Sequence, residues 1–293
     1  MKRVLPILFL FLPWVAGAQI EGAIDLHVHS APDSRPRSLT AIETAQLARR
    51  HGMRAVLFKN HFVETATLAY LVSQVVPEVE AYGGIALNRS VGGINPAAVE
   101  QMAAMTGGHG RVVWMPTFDA AQGPFAASAE AANILHVSRD GALLTEVMEV
   151  LELIADLDLA LATGHSSSAD SLLLVRAANR LGIERIVITH PLGDLTMPPE
   201  IQREVVRLGA LLEFPVAMAA PIGATPFDEF VRQIRTVGPE NAVLSTDLGQ
   251  AGNPVAPDGF SAGVTRLLEA GFTEREMDLM IRRNPARLLG LDP

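Results

Sequence analysis

The chain has 293 residues, of which 49% are apolar and 19% charged, a balance that indicates a globular protein and excludes a disordered one. Its formal net charge is −9 and no basic patch is evident, so nucleic acid is excluded as an expected partner. The sequence has no cysteine. Disulfides and thiolate ligands are therefore excluded, and any metal would have to be held by His, Asp, Glu or a modified side chain.

Residues 1–18 have the pattern of a secretory signal peptide. Met1-Lys2-Arg3 is basic, an apolar run follows over 4–15, and Ala16-Gly17-Ala18 fits a small-x-small cleavage site. The alternative is an uncleaved anchor, but the run is short for a spanning helix. We therefore expect an exported protein, periplasmic or secreted, with a single domain over 19–293 and no stable membrane anchor after cleavage.

Apolar runs typical of buried strands alternate with helix-like stretches along the rest of the chain. The predicted strands span 23–29, 54–61, 83–88, 111–117, 158–164, 185–190, 210–216 and 242–247. The predicted helices span 39–51, 63–76, 96–106, 142–156, 169–181, 199–208, 226–237 and 261–270. The first helix has the clearest boundaries, because a capping box of Thr40 with Glu43 opens it and Gly52 closes it.

Eight successive β-then-α units predict an α/β fold of the (β/α)8 TIM-barrel type, with an open doubly wound sheet as the alternative. Residues 118–140 form a longer insertion between the fourth strand and its helix, and we interpret them as a lid or substrate loop. In a (β/α)8 barrel the active site lies at the carboxyl ends of the strands, so those positions are where functional residues are expected.

Polar residues with metal-binding chemistry occupy these strand ends. His27 and His29 close the first strand, and their i, i+2 spacing places both imidazoles on one face. Five of the eight histidines lie at strand ends, and an aspartate closes the last strand. The set comprises His27, His29, His61, His165, His190 and Asp247. Because imidazole is the commonest protein ligand for zinc and similar metals, this pattern predicts a metal centre.

Lys59 is the only lysine after Lys2, and it lies in an apolar strand beside the proposed ligands. A buried ammonium next to a divalent cation would be costly. Three interpretations are open: a neutral amine that reacts with carbon dioxide to give a carbamate ligand, an ammonium that binds an anionic substrate group, or a lysine that extends its head group to solvent.

This pattern of His-x-His on the first strand, His on the fifth and sixth strands and Asp on the eighth resembles the amidohydrolase superfamily of metal-dependent hydrolases. The ending Asn284-Pro285-Ala286-Arg287-Leu288-Leu289-Gly290-Leu291 is also similar to that superfamily's last helix. The resemblance implies that His27, His29 and Asp247 hold one divalent metal, zinc being the expected ion, and that His165 and His190 hold a second. It also implies that Asp247 is catalytic and takes the proton from the attacking water.

The sequence departs from that superfamily at the fourth strand. Binuclear members usually carry a carbamylated lysine or a glutamate there, and the run 111–117 has neither. Either a carbamylated Lys59 is the bridging ligand of two metals, or the centre holds one metal. With one metal, His190 is expected to orient the substrate as a catalytic residue rather than to bind metal.

Candidate substrate-binding residues follow the other strands. Arg35 and Arg37 come after the first strand, His61 ends the second, and Asn88 and Arg89 follow the third. Arginines at a barrel mouth suggest a small-molecule substrate that carries a carboxylate or another anion. The alternative for each arginine is ordinary solvated surface charge.

The expected reaction is hydrolysis of an amide, cyclic imide, lactam or ester by a metal-activated water. A second resemblance leads to an alternative: Asp25-Leu26-His27-Val28-His29-Ser30 followed by Lys59-Asn60-His61 is also similar to phosphoesterases of the polymerase-and-histidinol-phosphatase type. That group has an acid in the second motif and Asp-x-His on the last strand, and this chain has neither. A non-catalytic metal-binding barrel is the third hypothesis. We expect that the barrel can form a homo-oligomer.

Overall fold

Eight parallel strands form the centre of the computed structural model, which describes residues 19–122, 130 and 133–292. The strands are β1 (Ile24–Val28), β2 (Ala55–Phe58), β3 (Glu80–Ala86), β4 (Gly110–Trp114), β7 (Ala160–Ala162), β8 (Ile186–Ile188), β9 (Leu211–Pro215) and β10 (Ala242–Ser245). All eight overlap predicted strands, although β3 begins three residues before the predicted run 83–88. The two remaining strands, β5 (Ser138–Arg139) and β6 (Ala142–Leu143), form a separate antiparallel hairpin.

Helices alternate with the barrel strands. They are α1 (Ala41–Arg50), α2 (Ala66–Val75), α3 (Pro96–Ala103), α4 (Thr145–Asp156), α5 (Ser168–Arg180), α6 (Pro199–Arg207), α7 (Phe227–Val237), α8 (Ala256–Glu269), α9 (Glu274–Asp278) and α10 (Asn284–Leu289). A π-helical turn, Leu279–Arg283, joins the last two. Within the described residues no helix is both long and apolar enough to cross a membrane. The predicted signal peptide lies outside the described residues.

The strand order around the sheet follows the chain, β1-β2-β3-β4-β7-β8-β9-β10. The ring closes between the segment after β10 and β1, where Asp247 N donates to His27 O (2.8 Å) and His29 N donates to Leu248 O (2.8 Å). A parallel bridge between Val28 and Leu248 completes this seam. The barrel prediction is therefore confirmed, and the open doubly wound sheet is wrong.

Apolar side chains fill both faces of the sheet. One cluster lies inside the barrel and includes Ile24, Leu57, Trp114 and Val243, all nearly inaccessible to solvent. A larger cluster packs the outer face of the strands against the helices. Because both faces are covered, the strands are continuous apolar runs, and each fully buried large aliphatic side chain contributes about 1.5–3 kcal/mol to folding.

The start of α1 shows why its boundary could be predicted. Glu43 N donates to Thr40 Oγ1 (3.2 Å), and Thr40 N donates to Glu43 Oε2 (2.8 Å), which completes the capping box. At the other end Gly52 has a φ of +69°, a left-handed conformation that glycine adopts without a steric penalty. By contrast, α8 begins at Ala256, five residues before the predicted start, because Pro257 fits the first turn of a helix.

The end of the chain is a helix, as its sequence predicted. Asn284 opens α10 and its Nδ2 donates to Ala242 O (2.7 Å) at the start of β10. This bond attaches the last helix to the last strand at the end of the barrel opposite the proposed ligands. The insertion at 118–140 lies partly outside the described residues; its described part includes a bridge between Ala120 and Leu135 and ends in β5, which pairs with β6 just beyond it.

Candidate metal centre

A bulge in β1 aims both histidines of the first strand into the barrel. Against β2, Asp25 pairs with Val56 and Val28 pairs with Phe58, so three steps on β1 match two on β2. Ile24 and Leu26 belong to the interior cluster, whereas Val28 packs with the helices. A bulge exchanges the faces on which successive residues lie and so re-aims side chains. His27 and His29 consequently reach the cavity at the carboxyl end of the barrel.

His27, His29 and Asp247 converge on one point. Asp247 Oδ1 lies 2.9 Å from His29 Nε2 and 3.1 Å from His27 Nε2. One ligand atom from each of the three residues lies within 4.8 Å of the others. Burial tends to raise the pKa of Asp247, but its interaction with His27 and its hydrogen bond with His29 outweigh burial and hold that pKa well below its usual value. Asp247 is therefore a carboxylate at neutral pH.

The backbone is strained at two of the predicted site residues, His190 and Asp247. Only four non-glycine residues of the described chain have positive φ, and His190 (+25°) and Asp247 (+50°) are among them. Such conformations cost on the order of 1–3 kcal/mol and persist where surrounding contacts enforce them. Gly249 shows how close those contacts are, because a Cβ at this position would collide with the carbonyl oxygen of His29.

His165 and His190 form a second pair of imidazoles in the same cavity. Their ring centroids are 4.9 Å apart, and the ring of His190 stacks 6.1 Å from that of His27. Burial lowers the pKa of His190 to about 4 and that of His165 well below its ordinary value. Both rings are therefore neutral at neutral pH, which is the state in which imidazole binds a metal or accepts a proton.

Glu213 is a site residue that the sequence reasoning missed. It lies in β9, and its Oε1 is 2.9 Å from His27 Nδ1 and accepts from Ser245 Oγ (2.7 Å). Burial opposes its ionisation, but interaction with His27 outweighs burial and lowers its pKa. A carboxylate on the far nitrogen of a ligating histidine fixes the tautomer and the ring orientation. Glu213 thereby presents Nε2 of His27 to the cavity.

The position of Lys59 bears on the three interpretations that the sequence left open. Its Nζ is 2.9 Å from His27 Nε2 and 5.3 Å from the ring centroid of Trp114, the residue that ends β4. The side chain is 1% exposed, so the interpretation as a lysine that reaches solvent is wrong. Burial, opposed by Asp247 and Glu213, lowers the pKa of Lys59 to about 8.

The predicted substrate-binding residues divide into two groups. Arg35, Arg37 and His61 line the cavity, with Arg35 4.6 Å over the ring of Phe118 and His61 Nδ1 2.8 Å from Thr117 Oγ1. Asn88 and Arg89 do not belong to the cavity lining among the described residues.

Asn88 is fully buried and bonded to the chain itself. Its Nδ2 donates to His61 O (2.8 Å) and to Thr117 Oγ1 (2.7 Å), and its Oδ1 accepts from the backbone N of Thr117 (2.9 Å) and of Asp119 (3.2 Å). Arg89 N donates to Asp119 Oδ2 (2.8 Å). In this structure Asn88 therefore positions the segment after β4.

The residues present fit a divalent metal. Two imidazole Nε2 atoms and a carboxylate oxygen are the ligand types that zinc and similar metals prefer. The Nδ1 atoms of His165 and His190 are buried and have no hydrogen-bond partner among the described residues. Buried polar atoms are normally satisfied, so these nitrogens are consistent with a site built around an additional group.

The cavity that contains these residues has a volume of about 350 Å³. That is at the small end of the range for small-molecule sites. Its lining combines the polar strand-end residues and the side chains of Arg35 and Arg37 with an apolar wall segment. Leu192, Leu195 and Met218, from the loops after β8 and β9, form part of that wall.

Sequence comparison places the chain in a family. Residues 22–213 match the model of a family of unknown function, DUF6282, over more than half of the chain. The chain belongs to this family. No curated protein matches this chain.

Solved structures show a related fold at low sequence identity. The organophosphorus hydrolase from Deinococcus radiodurans is 18% identical, with a TM-score of 0.59 and 94% of each chain covered. A variant of a PTE-like lactonase from the same organism is 19% identical, with a TM-score of 0.62 and 94% of this chain and 98% of that chain covered. The fold that the predicted resemblance implies is therefore confirmed.

Proposed function

We propose that the protein is a metal-dependent hydrolase of the amidohydrolase type. The observation that carries this proposal is the convergence of His27, His29 and Asp247 at the carboxyl end of a (β/α)8 barrel, beside a cavity of small-molecule size. Glu213 supports it, because a buried carboxylate behind His27 would orient a metal ligand. His27, His29 and Asp247 would hold one metal, and His165 and His190 are candidate ligands of a second.

A divalent metal bound here would lower the pKa of a water molecule and polarise a scissile carbonyl. The protein's own groups perform the remaining tasks. Asp247, ionised and with Oδ1 facing both imidazoles, accepts the proton of the attacking water and returns it to the leaving group. His190, neutral and beside His27, orients the substrate carbonyl if it does not bind metal.

The scissile bond is proposed to be an ester or amide within a small ring: a lactone, lactam or cyclic imide. The small cavity, lined in part by apolar side chains, suits such a compact molecule. Neighbours of the same fold are described as a lactonase and as an organophosphorus hydrolase. Phosphoester cleavage is the second candidate, and the cationic side chains of the cavity favour keeping it in the assay.

The chemical state of Lys59 determines whether the proposed centre holds one metal or two. Burial lowers the pKa of Lys59 and so favours the neutral amine, the form that reacts with carbon dioxide. We propose that it becomes carbamylated when two metals bind. Native mass spectrometry should then show a gain equal to one carbon dioxide together with two metals per chain. One metal per chain and an unmodified Lys59 would refute carbamylation.

The test of the proposed activity begins with metal content. The mature protein supplied with zinc should retain at least one ion per chain by plasma mass spectrometry, and a panel of lactones, lactams, cyclic imides and p-nitrophenyl phosphate should identify a hydrolysed class. Asp247→Asn should remove turnover while Asp258→Asn, a surface aspartate that pairs with His51, should not. No metal, or metal without turnover of any class, would contradict the proposal and favour a binding barrel.

We also propose export, on the basis of the basic, apolar and small-residue pattern of residues 1–18. Full-length chain expressed in a bacterium should be recovered outside the cytoplasm with Gln19 as its first residue. Recovery from the cytoplasm with Met1 retained would contradict this.

A further inference from the structure

Arg37 is a buried cation at the cavity whose role the proposed reaction does not require. Its side chain is only 4% exposed, although it follows β1 in a loop, and it lines the cavity together with Lys59 and Asp247. Burying a guanidinium is costly unless acceptors surround it. A loop arginine in this position therefore needs a structural or a ligand-binding explanation.

Asp33 supplies part of the explanation. Arg37 Nε donates to Asp33 Oδ2 at 2.6 Å, and Nη2 lies 2.5 Å from the same oxygen. The Asp33 side chain is 1% exposed. Within residues 19–122, 130 and 133–292, no group accepts a hydrogen bond from Nη1 of Arg37. One edge of the guanidinium is thus anchored, and donors on the rest of it remain for a ligand.

The loop that carries Arg37 is fixed from two sides. Asn60, directly after Lys59, donates from Nδ2 to Pro32 O (3.0 Å), and Ser38 N donates to Gly249 O (2.9 Å). An antiparallel bridge also joins Arg37 and Gln250. The guanidinium is therefore positioned before any ligand arrives, which reduces the entropic cost of binding.

The charge of the cavity is opposite to that of the chain. The formal net charge of the whole sequence is −9. Among the described lining residues, however, Arg35, Arg37 and unmodified Lys59 are cationic side chains and Asp247 is the one carboxylate, with the Asp33 carboxylate bound to Arg37 outside this lining. A bound divalent cation would add positive charge. A concave site of one sign attracts ligands of the opposite sign.

We propose that Arg37, held by Asp33, binds a carboxylate group of the substrate. The substrate class is then a small monoanionic molecule with an apolar body, its carboxylate on Arg37 and its apolar part against Leu192, Leu195 and Met218. The planar guanidinium fork matches the geometry of a carboxylate. The naming of a substrate rests on the proposed hydrolytic function, but binding of the carboxylate does not require the metal.

Calorimetric titration of hexanoate and of hexanamide, its neutral isostere, tests this assignment. Metal-depleted wild-type protein should bind hexanoate, and bind hexanamide at least 10-fold more weakly. The double variant Asp33→Asn with Arg37→Gln removes both charges and so leaves no unpaired buried ion. It should bind hexanoate about 10–100-fold more weakly, the usual value of a charged hydrogen-bond pair. The control Arg49→Gln, an arginine that pairs with Glu78 on the helix surface, should bind as the wild type does.

Equal binding of hexanoate by the wild type and the folded double variant would overturn the proposal, as would equal binding of hexanoate and hexanamide. Stronger competition by inorganic phosphate than by hexanoate would overturn the carboxylate class. If the double variant does not fold by circular dichroism, Arg37→Lys, which keeps the charge but not the fork, should weaken hexanoate binding several-fold, and unchanged binding would overturn the proposal.

The same measurements separate this proposal from the proposed reaction. Selective hexanoate binding by a protein that takes up no metal would refute the hydrolase and support the carboxylate site. Metal uptake and turnover without selectivity for hexanoate would refute the carboxylate site alone.

Discussion

Replacing Glu213 by Gln tests whether metal binding depends on a residue that supports the ligand His27 without binding the metal itself. The Oε1 atom of Glu213 lies 2.9 Å from His27 Nδ1, and both side chains are almost inaccessible to solvent. Glutamine keeps the size of the side chain and its capacity to accept from His27 and Ser245, but it removes the negative charge. The substitution should therefore weaken metal binding without opening a cavity.

The expected size of the effect follows from the position of Glu213 behind the ligand. Loss of such a supporting carboxylate typically costs 10–100-fold in metal affinity, or about 1.4–2.7 kcal/mol. Glu213 also makes a second hydrogen bond, from Ser245 Oγ at 2.7 Å, and glutamine can retain that bond. Fold stability of the metal-free protein should therefore change less than metal affinity does.

A competition titration with a chromophoric zinc chelator measures the dissociation constant directly. Glu204→Gln, which changes a carboxylate paired with Arg176 on the surface, is the matched control and should leave the zinc affinity unchanged. If folded Glu213→Gln protein binds zinc as tightly as the wild type, the reasoning that Glu213 orients a metal ligand is refuted.

Three other outcomes are expected. Gly249→Ala should lower metal occupancy and Tm more than Gly252→Ala does. Both glycines have positive φ, but only at Gly249 would a Cβ meet the backbone of His29. Equal effects of the two substitutions in thermal melts would refute the role of this close packing at the site. Thr40→Ala should lower Tm by about 2–4 °C. Because hydrogen bonds from Thr40 lower the pKa of Glu43, the Tm difference from wild type should be present above the ordinary glutamate pKa and should shrink in melts at lower pH. A Tm difference that is constant with pH would contradict the capping-box explanation. Zinc at 100 times its dissociation constant should stabilise the folded protein by about 2.7 kcal/mol in denaturant titrations, and a protein with equal stability with and without zinc would contradict a metal centre in the folded state.

Much of the barrel could be predicted because each strand is buried on both faces and is therefore written as a short apolar run. The strand ends could be located for the same reason, since a polar residue such as His165 or Asp247 interrupts the run where the cavity begins. Local capping chemistry at Thr40 and Gly52 fixed a helix boundary, whereas the predicted helix 261–270 starts five residues after the observed start of α8, which has Pro257 in its first turn.

The missed features depend on contacts between segments that are distant in the sequence. The bulge in β1 exists only relative to β2, and it changes which face His27 occupies. Glu213 could have been found by the argument applied to Lys59, because an acid within an apolar strand also needs a partner. The burial of the Arg37 side chain could not have been predicted from the sequence, since it depends on Asn60 and Gly249 holding the Arg37 loop against the cavity.

The packing of Lys59 above Trp114 gives the site its own optical reporter. The sequence has two tryptophans, and the other, Trp14, lies in the predicted leader. In a processed chain, all indole fluorescence would therefore come from a ring 5.3 Å from the Lys59 nitrogen. A change in the charge of that nitrogen, through carbon dioxide, metal or an anion, should alter the emission of Trp114. Occupancy of the centre could then be followed in real time without a label.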